Sequence, residues 1–182
     1  MRSRAFAIVT SVIGAVALTG CGGGPQASPL GEAIEVGHVD SEAGTATTLA
    51  ITVTDVRQGS IEELEKAGLE FDDDERDLVP YYVDATYENT GDEAVKRNMR
   101  PSIEDADDNL INPTVVFDFS GGKGQDKEPG PCPNVEDGEV AAGESFEDCT
   151  LFLVSQGVEV ARVTFLSKPE DGESEFVYWA VE

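Results

Sequence analysis

The residue types that carry most protein chemistry are either scarce in this chain or too common to mark a site. Among 182 residues there is a single histidine, His38. A Ser-His-Asp or Cys-His arrangement needs an imidazole held by packed structure, within about 3 Å of the proton it accepts. His38 falls in a stretch read as flexible, so neither arrangement is expected. Carboxylates are plentiful instead, with 37 Asp and Glu. A carboxylate pair can cleave glycosides, but with so many acids a chance pair means nothing. Trp179 and a few tyrosines also make a sparse platform for sugars. Gly121-Gly122-Lys123-Gly124 lacks the helix that must follow a phosphate-cradling loop. Neither an enzyme nor a cofactor is expected.

Calcium is the small ligand best served by this composition. Asp105-x-Asp107-x-Asn109 begins as an EF-hand loop would, with oxygen ligands at alternate positions. The pattern then fails: Leu110 stands where glycine is needed, and Val116 occupies the place of the bidentate glutamate. A turn is the plainer reading. Phe71-Asp72-Asp73-Asp74-Glu75-Arg76-Asp77 must either stay solvated or take a cation, which makes Asp72, Asp73, Asp74 and Asp77 weak metal candidates.

The third cysteine, Cys21, has a different context. Met1-Arg2-Ser3-Arg4 is a short basic start, and 5–17 is apolar apart from Thr10, Ser11 and Gly14. Such a run is too short to span a bilayer and reads as the core of a signal peptide. Leu18-Thr19-Gly20-Cys21 closes it and resembles the lipobox of bacterial lipoproteins. That resemblance implies a diacylglyceryl group on the Cys21 thiol and cleavage of 1–20. Two acyl chains hold stably where one holds marginally, at about 0.8 kcal/mol per buried CH₂. The expected location is the extracytoplasmic face of the cell membrane. The alternative is an ordinary secretory signal with an incidental cysteine.

Charge and cysteine count agree with that compartment. The formal net charge is −25; removing Arg2 and Arg4 with the signal leaves 10 basic against 37 acidic residues, or −27. Such a surface repels nucleic acid and anionic headgroups, so no nucleic-acid partner is expected. With Cys21 consumed by lipid, Cys132 and Cys149 remain, in a compartment where disulfides persist. Joined, they close a loop worth about 3 kcal/mol in the chain-entropy picture. A metal site is the alternative, but two thiols and a distant His38 make a poor ligand set.

The elements that position these residues are mainly short strands. Segment 21–46 begins Gly22-Gly23-Gly24-Pro25 and reads as a flexible linker, leaving 47–182 as one domain. Thr47 to Val53 alternates, with Leu49, Ile51 and Val53 on one face. Ser60-Ile61-Glu62-Glu63 is a capping box opening a two-turn helix, which Gly68 closes. Further strands are expected at 80–88, 95–103 (broken by Pro101), 112–119, 146–154, 158–166 and 176–181. In 158–166 the apolar phase changes near Ala161, which predicts a bulge. About seven strands with regular turns predict an antiparallel β-sandwich, with 120–139 as a long loop carrying Cys132.

Tyr81-Tyr82-Val83-Asp84-Ala85-Thr86-Tyr87-Glu88-Asn89-Thr90-Gly91-Asp92 resembles the strand-and-turn signature of an immunoglobulin-like family. That family has no assigned function and occurs in lipoproteins and secreted antigens of Gram-positive, high-GC bacteria. Ala141-Ala142-Gly143-Glu144 and Val177-Tyr178-Trp179 resemble it too, while the Ser60 helix and the Cys132 loop depart from its minimal form. The resemblance implies an immunoglobulin-like sandwich without catalytic residues. The expected function is that of a membrane-anchored binding or accessory module for a membrane-proximal protein partner. The alternative is calcium or small-ligand binding through the acidic loops.

Overall fold

The computed structural model describes residues 26–40, 44–114, 131–132 and 138–181. Two four-stranded antiparallel sheets face each other across the core. One has the order β1 (Ala33–Asp40), β2 (Thr45–Gln58), β3 (Leu78–Asn89), β8 (Ser145–Ser155). The other has the order β10 (Glu175–Ala180), β9 (Val160–Ser167), β5 (Ser102–Asp105), β6 (Leu110–Ile111). A two-stranded pair, β4 (Val95–Lys96) with β7 (Glu139–Val140), lies beside them, and α1 is Ile61–Lys66. The architecture is thus the expected mainly-β sandwich, with one short helix and ten strands among the described residues where about seven strands were expected.

Period-two patterning decides which side chains fill it. Leu49, Ile51 and Val53 on β2 meet Val83, Ala85 and Tyr87 on β3, and Phe146, Phe152 and Val154 on β8. The second sheet answers with Ile103, Val163, Phe165 and Trp179. Trp179 is fully buried and its indole N–H donates to the Glu32 carbonyl at 2.9 Å. That bond satisfies the one polar atom the ring brings inside. Truncating this side chain to alanine removes a packing element worth about 3–5 kcal/mol. The bulge predicted near Ala161 is present. Glu104 pairs with Arg162 but Asp105 pairs with Val160, leaving Ala161 extra.

The segment 21–46 is corrected in its second half. Ala33–Asp40 is a strand in continuous register with β2, from Ala33 opposite Thr52 to Asp40 opposite Thr45. His38 therefore sits on β1, opposite Thr47, and not in a loose tether. The physical reason is that Val36 and Ile34 pack on the core, while Gly37 lets another backbone approach. A Cβ on Gly37 would meet the Pro169 backbone nitrogen at 2.7 Å, and Gly37 accepts from the Lys168 amide at 2.7 Å. Before β1, Ser28 bridges to Trp179 on the edge of β10. One stretch of chain thus stitches both sheets together along one side.

Two other expected strands also differ. The 95–103 strand is two strands, β4 and β5, in different sheets, with Pro101 buried between them where it needs no ladder donor. In the region of the expected 112–119 strand, the described residues place a strand at Leu110–Ile111, just before it, and 112–114 run on to β8, where the Thr114 amide donates to Leu151 O at 2.8 Å. Residues 115–119 and most of the 120–139 loop lie outside the described residues.

Candidate functional site

Three groups of side chains could carry function, and each is placed by strand parity. The first lies on the outer face of the β1-β2-β3-β8 sheet. On β8, Cys149, Leu151 and Leu153 point away from the main core and meet Tyr82, Leu64, Ile61 and Phe71 in a second apolar cluster. Helix α1 covers that cluster because its capping box forms. The Ser60 hydroxyl accepts from the Glu63 amide at 3.3 Å, and the Glu63 carboxylate accepts from the Ser60 amide at 3.1 Å. Gly68, at φ 88°, ends the helical segment in the left-handed region.

Cys132 and Cys149 are joined in a disulfide, with Cα atoms 5.2 Å apart. Arg57 reinforces the tie. Its Nη2 donates to Pro131 O at 2.9 Å, its Nε to Asp84 at 3.1 Å, and its guanidinium lies 4.5 Å over the Tyr82 ring. Burial, with Glu63 nearby, pushes the Tyr82 phenol pKa up against the pull of Arg57. It therefore stays protonated and packs as part of the cluster.

The second group lies on the outer face of the other sheet. Arg162 on β9 pairs with Glu104 on β5 at 2.9 Å and with Asp108 in the β5–β6 turn, and it lies 5.4 Å over the Tyr178 ring. Burial pulls on its positive charge, but the two carboxylates outweigh that and raise its pKa. Beyond this network, Leu110 is 46% exposed and Phe176 44% exposed. The ordered turn is what Asp105-x-Asp107-x-Asn109 makes. Asp105 accepts from the amides of Asp107 and Asn109 at 2.9 and 2.8 Å and from the Asn109 side chain at 2.8 Å. Those bonds, from Asn109 first, lower its pKa. Its carboxylate oxygens are committed to the hairpin, as the turn reading expects.

The third group is inside. Asp148 on β8 points into the sandwich beside Phe146, with its side chain 3% exposed, and binds Arg100 at 2.6 Å. Burial raises the Asp148 pKa, with Arg100 pulling the other way. Tyr87, stacked on Phe146 at 4.8 Å, has its phenol pKa raised strongly, by burial first and then by Asp148. Sequence reasoning missed Arg57, Arg162 and the Asp148–Arg100 pair. The only available signal was parity, since Asp148 and Thr150 alternate with outward residues between Phe146 and Phe152.

The acidic run 71–77 forms a turn. The Asp72 carbonyl accepts from the Glu75 and Arg76 amides at 3.0 and 3.2 Å, and the Asp72 amide donates to the Glu75 carboxylate at 2.9 Å. Arg76 binds Glu65 at 2.7 Å across a groove of ≈ 630 Å³. All four cation candidates are exposed, and of them only Asp72 lines that groove. Among the described residues no three His, Cys, Asp or Glu are grouped to hold a metal ion. Cys21 lies outside the described residues.

Comparison with known proteins bears on the fold. No protein-family description matches the chain, and no curated protein matches it. Among solved structures it is similar to a secreted protein from Mycobacterium tuberculosis, MPT63. That likeness has a TM-score of 0.50 at 14% identity, covering 88% of this chain and 100% of the other. It is also similar to the yjhA protein from Bacillus subtilis, with a TM-score of 0.47 at 13% identity, covering 85% and 99%. At such identities the likeness to MPT63 speaks for the sandwich alone.

Proposed function

We propose that this chain is an extracytoplasmic lipoprotein, held on the membrane by a diacylglyceryl group at Cys21, whose sandwich is a non-enzymatic binding module for a membrane-proximal protein. One observation supports the binding role most: the ordered charged side chains and the two thiols described above are occupied in holding the fold. The Asp105 carboxylate caps a turn, Asp148 faces Arg100, Arg162 is clamped by Glu104 and Asp108, and both thiols outside the signal region are oxidised. What the domain offers is a stiff surface with strand edges and a disulfide-stapled loop, which suits recognition by strand edges or loops. The signal-like start, the lipobox and the disulfide favour the same compartment, and the secreted MPT63 of similar fold is compatible with it.

In-cell cross-linking of the full-length protein, followed by mass spectrometry with and without a chelator, tests this reading. A recurrent membrane-proximal protein that persists under chelation is the expected result. Loss of that protein on chelation would move the role to cation binding by the acidic loops. No specific protein under either condition would overturn the adaptor reading.

A further inference from the structure

The point at which the chain enters the fold decides which side of the domain can meet a membrane. The Ser28 amide donates to Tyr178 O at 2.9 Å, and Ser28 O accepts from the Ala180 amide at 2.8 Å. Ser28 pairs in parallel with Trp179 on β10, so the chain enters the described fold at that sheet edge. Only six residues separate Ser28 from Cys21. Their fully extended reach is at most about 25 Å, and as a flexible coil the r.m.s. reach is roughly 15 Å. Four strands at about 4.8 Å spacing, with flanking side chains, make each sheet at least about 20 Å wide. Presenting the β8 edge to the bilayer would need that leash stretched near its limit and routed around the domain.

At the same edge the outward face of β10 carries Phe176, which is 44% exposed, and Tyr178, whose ring centroid lies 6.4 Å from it. Leu166, half-buried on β9, is the register partner of Phe176. Aromatic side chains with an apolar body favour the headgroup region of a bilayer. We propose that the β10 corner, with Phe176, Tyr178 and Leu166, is the membrane-facing side of the domain and that its occupant is the lipid surface. This rests on the lipid-anchored reading of Cys21. It leaves the α1 face, the disulfide and the β8 edge directed away from the bilayer, toward partners.

Exposed Glu170, Asp171, Glu173 and Glu175 flank the corner. An anionic surface repels them, within a Debye length of about 8 Å at physiological ionic strength. Contact should therefore be closer on zwitterionic than on anionic vesicles, and on anionic ones it should tighten as salt is raised.

The test uses the full lipidated protein, reconstituted into zwitterionic and into anionic vesicles. Nitroxides are placed at Ser174→Cys, beside the corner, and at Ser145→Cys, on the far edge; both positions are exposed. Collision with oxygen and with a water-soluble nickel chelate is measured by power saturation. In the vesicle-bound fraction, the oxygen-to-nickel accessibility ratio at 174 should exceed that at 145 several-fold. Equal ratios in protein that floats with the vesicles would overturn the membrane-facing corner while leaving the lipid anchor intact. Shielding of 174 from both reagents would mean that protein, a second copy included, covers the corner, and would overturn it too. Failure to float would overturn both the anchor and the orientation.

Discussion

Replacing Cys132 and Cys149 together by alanine should lower the melting temperature by about 10 °C, and the figure follows from the structure. The pair is separated by 17 residues along the chain. In the chain-entropy picture, opening a loop of that length frees the unfolded ensemble by about 3 kcal/mol at 25 °C. Unfolding entropy is about 2.1 cal/mol/K per residue, so a folded unit of about 150 residues has roughly 0.3 kcal/mol/K in all. The ratio of the two gives the shift. Alanine is the right replacement because the half-cystines pack with Leu64, Tyr82 and Leu151, where a serine hydroxyl would be buried without an assured partner. Scanning calorimetry of wild type and double variant, each with and without reductant, separates the covalent tie from its surroundings. Reductant should bring the wild type down to the variant and leave the variant unmoved. A double variant within about 2 °C of wild type would refute the reasoning, because Arg57 and the apolar cluster would then hold the segment unaided.

Four further outcomes are expected. The raised pKa of Asp148 means the folded state holds that proton more tightly than the unfolded chain. Its contribution to stability therefore falls as pH rises from below the usual carboxylate range through its folded value. Asp148→Asn should accordingly gain on wild type between pH 3 and pH 7 in thermal scans; a constant offset would reject the sign. Arg100→Ala leaves that carboxylate without its cation and should cost about 1–3 kcal/mol in urea unfolding at pH 7, with no loss contradicting the pairing. Gly37→Ala forces a Cβ against Pro169 and should cost about 1–3 kcal/mol with faster amide exchange over 33–40; unchanged exchange there would count against the stitch. Ser60→Ala removes the cap of α1 and should cost about 1 kcal/mol, read as exchange confined to 61–68, and protection equal to wild type would deny the capping box its role.

The legible parts of the fold were those fixed by local chemistry. The capping box at Ser60 and Glu63 needs only four residues, so it could be read directly, and Gly68 marked the end. The bulge at Ala161 showed because Val158 and Val160 keep one phase and Val163 and Phe165 the other. β1 was hidden because Gly37 and His38 break its alternation and its place depends on distant partners, Thr45 to Thr52 and Pro169. β8 was legible as a strand over 146–154 but not by face: Cys149, Leu151 and Leu153 face α1, while Phe146 and Phe152 fill the main core. A strand covered on both faces is apolar on both, so alternation cannot choose its inward side. Asp148 was passed over for a related reason: a charge seldom faces inward, and nothing local marks Arg100 as its partner.

Mass spectrometry of the mature N-terminus, taken from the membrane fraction of cells making the full-length chain, bears most directly on the anchored binding module. The expected N-terminal peptide begins at Cys21 and carries a diacylglyceryl group, and in Cys21→Ser that species disappears and the protein leaves the detergent phase or keeps its signal. An unmodified N-terminus recovered from the medium, with wild type and Cys21→Ser partitioning alike, would contradict it.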